Sequence, residues 1–569
     1  VAVARWNGQR HNTLLTARAR GLGPRTLARR DVMQPHTFGR GLIACMSRNL
    51  GKLSRAILVG KSREGAEKGG KRPKPDKHPA FSELQTLASG KDSVKPSLFA
   101  CEGPSTRVLG SDSLSSMKIV VAGASGFVGR ALIEALLANT DHQIVALSRN
   151  SKESSNPRLS WLKCDLFSLK DVSDALEGCD AAYYLVHSML PSASLTQGEF
   201  YDLDLIIADN FARAVRQHGL KRVVYLGGMI PEGRKLSWHL KSRLEVERTL
   251  EASGARVTTL RAGMIVGPDG SSFLMAKRLV ERLPVLVCPS WTKTRFQPIA
   301  LKDAVATLTR ALEDPTVQGP VYDIGGPTIT SYRDLILSTA KAMGKSRVVV
   351  PLDVIPLGLS RFWVSLVTGA PSDLVYPLVL SLIYPMIVDP ARSWPHAADV
   401  STPLDEALRE AVEKGAEQHG FSGFVPEQRD VRSVQRLPLP KGRDAAWIAD
   451  EYFRWLPKLI ANGIRVDVSD PGYARFSDPT GQVELLVLKR SPERSTPDRQ
   501  LLYIVGGKLA QSGGRGRLEF REALDRSCAL AAIHEFRPTL PWQVYRATQA
   551  RAHLLVMRAF ARHLRNQDT

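Results

Sequence analysis

From residue 117 onward the apolar positions follow two rhythms. Short unbroken runs read as strands buried on both faces, and stretches with apolar residues three and four apart read as helices packed on them. The run Ile119–Ala122 is followed by helical RALIEALLAN at 130–139 and a strand at His142–Ser148. LSWLKCDL makes a third strand ending at Asp165, and a helix covers Asp171–Glu177. AAYYLVHSM is the fourth strand, Phe200–His218 a long helix, and RVVYLGG the fifth strand. A helix over about Leu240–Ser253 precedes the sixth, VTTLRAGMIVG. This alternation predicts an α/β fold, a Rossmann-type doubly wound parallel sheet with right-handed crossovers.

Residues 271–395 mix helices with PVLVCP, QPIALKDAVATLTRALE and YDIGGP, and are expected to cap the carboxyl ends of the strands. The sheet and cap together make a domain over 117–395. The most apolar stretch, Leu374–Val388, has 15 residues and two prolines, short of the roughly 20 that span a bilayer. It reads as a buried helix, with peripheral membrane contact the less favoured alternative. Residues 396–442 hold an amphipathic helix, Leu404–Gln418, and a polar connecting stretch. From 443 to 569 the rhythm becomes alternating: IRVDV, VELLVLKR, LLYIVGGKLA, RGRLEFREAL and ALAAIHEF follow the aromatic helix WIADEYFRWLPKL. A final helix runs from Trp542 to about Leu564, with Tyr545, Thr548, Ala552, Leu555, Val556 and Ala559 on one face. This predicts an α+β domain, an antiparallel sheet with a long C-terminal helix. Arg515, Arg517, Glu519 and Arg521 alternate along one of its strands and are expected on a solvated outer face; the alternative is an inward face forming a polar patch in a pocket suited to an anionic ligand.

Charge changes this picture only at the start. The first 116 residues hold 21 Lys and Arg against 8 Asp and Glu, which is +13 of the chain's +22. They lack sustained apolar periodicity and read as a disordered basic extension. An Arg-rich, acid-poor start also fits an organelle transit peptide. The preferred reading is that Met117, directly before the first strand, is the natural start; an intact native mass matching all 569 residues would refute it. The remainder shows no basic stripe interleaved with aromatics, so nucleic acid is not the expected partner. Six cysteines without a CxxC pair fit a reducing cytoplasm, and with no HExxH no metal is expected.

The chemistry concentrates at KIVVAGASGFVG. Gly123, Gly126 and Gly129, with Ser125, Phe127 and Val128 between them, join a strand to a helix. One glycine permits the turn, one lets a pyrophosphate approach the backbone, and one lets helix and strand pack closely. The helix dipole favours the negative charge. At the end of the second strand a carboxylate would hold an unphosphorylated ribose, but this chain has Ser148, Arg149, Asn150 and Lys152. A cation there pairs with a 2′-phosphate, so NADP(H) is preferred and NAD(H) is the alternative. Asp165, beside Leu166, either accepts from the adenine amino group or caps the next helix. Val186, His187 and Ser188 end the fourth strand at the nicotinamide edge.

GASGFVG, CDL, YYLVHSM and the fifth strand resemble the extended or atypical short-chain dehydrogenase/reductase superfamily. HSM, SWHLKSR, LRAGMIVG, FQPIA and YDIGGP resemble its YbjT-like NAD(P)-binding branch. RGRLEFRE, HEFRPTLPW and TQARAHLLVMRAF are similar to an uncharacterised C-terminal domain grouped with helix-grip folds. The resemblance adds Gln297 of FQPIA to the cofactor-binding positions. It also implies a tyrosine, a lysine four residues later and a serine at the end of the fifth strand. The matching positions hold His239, Arg243, and Gly227 with Gly228. His239 is a general-acid candidate, Arg243 can hold ribose or an oxyanion, and His187 is a further catalytic candidate. The resemblance thus implies an oxidoreductase or epimerase-like enzyme acting on a small molecule. The altered triad keeps two alternatives open. One is a non-catalytic redox sensor or scaffold, similar to NmrA-type regulators and the Rossmann accessory subunit of complex I. The other is a lipid or aromatic carrier in the C-terminal domain.

Overall fold

The computed structural model describes residues 116–188, 193–233, 236–352, 357–415, 430–459, 463–469, 472–511 and 513–567. The basic extension as far as residue 115, and Met189 of the HSM motif, lie outside these. The first half runs β1 (Lys118–Ala122), α1 (Phe127–Asn139), β2 (Gln143–Ser148), β3 (Leu159–Lys163), α2 (Leu169–Leu176) and β4 (Ala181–Tyr184). It continues through β5 (Leu195–Gln197), α3 (Phe200–His218), β6 (Arg222–Gly228), α4 (Trp238–Glu251) and β7 (Arg256–Ala262). Next come α5 (Ser271–Arg282), β8 (Val285–Cys288), α6 (Leu301–Glu313), β9 (Val321–Ile324) and α7 (Tyr332–Ala342); of these, β9 and α6 belong to the sheet layer and not to a cap. They are followed by β10 (Val348–Pro351), α8 (Leu357–Thr368), α9 (Ser372–Ser381) and α10 (Leu404–Glu413).

Seven strands form one parallel sheet in the order β9-β7-β6-β4-β1-β2-β3. The period-two alternation of β1 explains its unbroken apolarity. Ile119 and Val121 pack with Leu132 and Leu136 of α1 and Leu308 of α6. Val120 and Ala122 face the other way, onto Val172 of α2 and Phe211 of α3. The sixth strand is shorter than expected: β7 ends at Ala262, and Ile265–Val266 pairs separately with Ile299–Ala300. Leu374, Val375 and Val379 of α9 are buried, as the apolar stretch predicted, but the helix closes at Ser381. No helix among the described residues is long and apolar enough to cross a membrane.

The second half contains β11 (Val431–Leu437), α11 (Ala445–Leu459), β12 (Arg465–Ser469), β13 (Tyr473–Ser477) and β14 (Glu484–Arg490). After these come β15 (Arg499–Gly506), β16 (Arg517–Glu522), β17 (Ala529–Phe536), α12 (Trp542–Ala547) and α13 (Gln549–Arg565). Its eight-stranded sheet has the order β12-β13-β14-β15-β16-β17-β11-β5. Every pairing is antiparallel except the last, where β11 runs parallel to β5 from the first half.

Four readings of the sequence are corrected. The stretch read as connecting contributes β11, whose arginines clamp the first half. The final helix breaks at Thr548 (φ −120°, ψ −82°), which shifts its buried face to Ala550, Met557, Phe560, Ala561 and Leu564. The amphipathic helix α10 ends at Glu413, five residues short. The charged face of β16 is not solvated: Arg517, Glu519 and Arg521 are all buried. Arg521 Nη1 donates to Asp209 Oδ2 of α3 (2.7 Å) and its Nε to Glu519 Oε1 (2.6 Å), which also accepts from Arg499 Nε (2.6 Å). Opposite charges satisfy one another there, so the polar face can be covered.

Candidate functional site

The turn from β1 to α1 is shaped by what its glycines exclude. Gly123 has φ +88°, and a Cβ there would lie 2.9 Å from the Leu185 carbonyl oxygen. A Cβ on Gly129 would collide with the Gly123 oxygen and come within 2.9 Å of Ala124 Cα. Gly126 begins α1, and no side chain caps it or places an acid in its first turn. Ser125 and Gly126 are exposed, so the first amides of the helix face outward uncapped. Phe127 turns away and packs where a Cβ on Gly267 would sit, and Val128 joins the core. The loop therefore offers backbone rather than side chains, which suits a pyrophosphate.

At the end of β2, Ser148 is buried and its Oγ accepts from Asn150 N (3.3 Å). Arg149 is exposed and lies in the field of Asp165 and Arg432. Asp165 does not cap α2; Ser168 does, accepting from Asp171 N. Instead Asp165 Oδ1 accepts from Phe167 N (3.1 Å), and Oδ2 pairs with Arg432 of β11 (2.7 Å). The Leu166 carbonyl accepts from Asn210 Nδ2 (2.8 Å).

The ends of β4 and β6 meet the start of α4, whose cap Ser237 accepts from Leu240 N. Asp204 of α3 is the buried centre. It accepts from His187 Nδ1 (2.9 Å), Ser242 Oγ (2.9 Å), Ser188 N (2.6 Å) and Arg243 Nη2 (2.5 Å). Burial alone would raise its pKa, but Arg243 and His187 hold it well below the usual carboxylate range. His187 Nε2 lies 3.1 Å from His239 Nε2, and His239 Nδ1 lies 3.1 Å from Ser381 Oγ of α9. Burial, reinforced by Arg243, lowers both histidines, His239 further than His187. With Asp204 ionised and both rings neutral, the hydrogens fall in one order. His187 Nδ1–H donates to Asp204, His239 Nε2–H donates to His187, and His239 Nδ1 is left to accept from the Ser381 hydroxyl, for whose proton the Pro377 carbonyl (3.1 Å) competes.

Arg243 is fixed by Asp204 and by the Val186 carbonyl, which accepts from Nη1 (3.2 Å). Its stem covers Gly228, where a Cβ would lie 3.3 Å from Arg243 Cγ. A serine at that position would crowd the arginine, so the two departures from the usual triad belong together. Gln297 bridges within the cap, donating to the Gly326 carbonyl (2.7 Å) and accepting from Val388 N (3.1 Å).

Residues 123–278 match the family described as NAD(P)H-binding. They form an NAD(P)H-binding domain. Among known proteins, the auxiliary protein GraX of Staphylococcus aureus is 33% identical over 113 residues, 20% of this chain and 36% of GraX. Mitochondrial NADH dehydrogenase (ubiquinone) 1 alpha subcomplex subunit 9 of Arabidopsis thaliana is 25% identical over 236 residues, 40% of this chain and 58% of that protein. The uncharacterised sugar epimerase YhfK of Bacillus subtilis is 25% identical over 179 residues, 29% of this chain and 80% of YhfK. This chain therefore spans little more than half of the first two relatives at most. A solved nucleoside-diphosphate-sugar epimerase of Staphylococcus aureus superposes with a TM-score of 0.41 at 17% identity, covering 52% of this chain and 100% of that one.

Beside the histidine pair, the NAD(P)H-binding domain and α9 of the cap enclose a cavity of about 380 Å³. Phe200, Tyr201, Trp238 and Tyr376 wall it, with His239 and Ser188 reaching its edge. A larger groove of about 1190 Å³ lies between α1, α6 and α10 and includes neither histidine. Several of its charges are paired with one another, Arg130 with Asp269 and Lys302 with Glu406 and Glu410. Three residues of the hydrogen-bonded cluster escaped the sequence reading: Asp204, Ser242 and Ser381. Asp204 left one trace, a carboxylate inside the largely apolar run YDLDLII. Arg432 escaped because it comes from the second sheet.

Proposed function

We propose that this protein is an NADP(H)-dependent oxidoreductase or epimerase-like isomerase acting on a small carbonyl or alcohol substrate. The observation that carries the reading is the chain Asp204–His187–His239–Ser381 beside an aromatic cavity. The uncapped glycine turn fits a dinucleotide's diphosphate, with Ser148, Arg149, Asp165 and Leu166 at its adenosine end. A nicotinamide coenzyme, when bound, supplies or takes up hydride. Proton traffic falls to the chain's own residues.

A substrate hydroxyl in the cavity replaces Ser381 as the partner of His239 Nδ1. That nitrogen takes the hydroxyl proton, and the Nε2 proton of His239 passes to His187 Nε2. His187 then carries the positive charge against Asp204, which offsets the cost of a buried imidazolium. Carbonyl reduction runs the same transfers backward. Arg243 positions Asp204 and touches no reacting atom.

The test is a titration with NADPH and NADH followed by turnover on a panel of small carbonyl compounds. His239→Ala is expected to keep NADPH binding and lose about 100-fold in turnover. Arg149→Ala is expected to weaken NADPH far more than NADH; equal losses would count against the 2′-phosphate role. A second reading, a non-catalytic redox sensor, is favoured by the engagement of Arg243 with Asp204 and Val186. Binding without turnover across the panel, unchanged in His239→Ala, would establish it instead.

A further inference from the structure

Twelve of the sixteen large apolar side chains that stand exposed among the described residues lie between 285 and 387, all in the cap. Helix α8 concentrates them. Its inner stripe, Ser360, Val364, Val367 and Thr368, is buried against α5 and α9. Its outer stripe, Leu359, Phe362, Trp363 and Leu366, is 44–61% exposed at the spacing i, i+3, i+4, i+7 of a second helical face. A helix apolar on both sides is normally buried on both.

The adjoining ribbon extends the surface. Strands β8 and β10 pair in register Val285↔Val348 and Val287↔Val350, which places these four valines on one side, all exposed. The ribbon's opposite side, Leu286 and Val349, packs on α5 and α7. Trp291, just past β8, donates from Nε1 to Ser360 Oγ (3.3 Å), joining the ribbon to α8. Helix and ribbon thus each leave a row of apolar side chains exposed on the cap, more than scattered surface residues produce.

We propose that this face docks the protein on the surface of an anionic lipid bilayer. The occupant follows from the charge around it. Cap stretches 271–296, 331–352 and 357–382 hold ten Lys and Arg against three Asp and Glu. Two copies meeting through this face would bring like charges together at the rim, whereas acidic headgroups complement it. Trp363 has the amphipathic ring favoured at headgroup depth. The stripe is one helical face wide, so the protein lies on the membrane and does not cross it. The apolar stretch that drew attention in the sequence, Leu374–Val388, serves as the floor on which this outer helix rests.

Co-sedimentation of the full chain with vesicles tests the proposal, comparing pure phosphatidylcholine with phosphatidylcholine containing phosphatidylglycerol. Binding is expected with phosphatidylglycerol, weakening as salt rises. The double substitution Phe362→Glu/Leu366→Glu is expected to lower that binding at least 10-fold with unchanged thermal unfolding. Should that pair disturb folding, Phe362→Ser/Leu366→Ser takes its place. No binding to the acidic vesicles, equal binding to neutral ones, or an unaffected double variant would overturn the proposal. So would a concentration-dependent dimer that the same substitutions break, since a second copy would then cover the face.

Discussion

Gly129 cannot become even alanine without moving backbone, because the added carbon meets the Gly123 carbonyl and Ala124. Neither obstacle is a flexible side chain, so helix α1 must shift off the strand. Gly129→Ala is expected to cost about 1–3 kcal/mol of stability and to weaken NADPH binding more than 10-fold by calorimetry. At Asp204 the penalty is electrostatic. Asp204→Asn leaves the buried Arg243 without its counter-charge, and a loss of about 3–5 kcal/mol is expected in urea unfolding. The glycine turn was legible in the sequence because its geometry is local: strand, turn and helix are consecutive. Asp204 was not, because its four partners come from residues 187, 188, 242 and 243, brought together by the fold alone.

Strand β16 shows what alternation can and cannot reveal. RLEFRE reads as a strand with two faces, and the structure agrees. Leu518 and Phe520 enter the core with α11 and α13, as their polarity dictates. The charged face would have been solvated had the neighbouring helix α3 lacked Asp209. Arg521→Met should therefore cost about 3–5 kcal/mol by leaving Asp209 and Glu519 short of positive charge. Pairing it with Asp209→Asn should recover part of that loss in a double-mutant cycle. Strand β11 was read as connecting for a related reason. Its Arg432 and Arg436 look like linker charges, yet Arg432 pairs with Asp165, and Arg436 with Asp202 and Glu245. Hydrophobic pattern finds strands that face a core; it misses those whose side chains face a charged partner.

At the scale of the molecule, four histidines among the described residues sit where burial disfavours their charged form: His187, His239, His534 and His553. Each protonates near pH 6.5 in the unfolded chain but only at lower pH in the folded one. Their contribution is complete above pH 6.5 and is lost as pH falls, since the unfolded state then binds more protons. For His553, lowered to about 4, the window runs from 6.5 down to that value. Each such histidine should remove ~1.4 kcal/mol per pH unit in its window, so His553 alone accounts for about 3 kcal/mol. Urea midpoints between pH 7.5 and 4.5 should decline on acidification, and His553→Gln should flatten the slope by about one proton. At this scale the parallel sheet and the antiparallel sheet were both legible from their rhythms. How they join was not, since β5 is three residues of an otherwise loop-like stretch.

That short strand has a practical consequence. Leu195–Gln197 leaves the first sheet, edges the second beside β11, and the chain then returns to α3. Neither half is therefore a separable module. A gene fragment beginning at residue 430 would encode a sheet with an open seam where β5 belongs, and one ending there would strand β5 without a neighbour. Anyone dividing this protein for crystallisation or for a two-hybrid bait should expect sticky, poorly soluble pieces and should keep the seam intact.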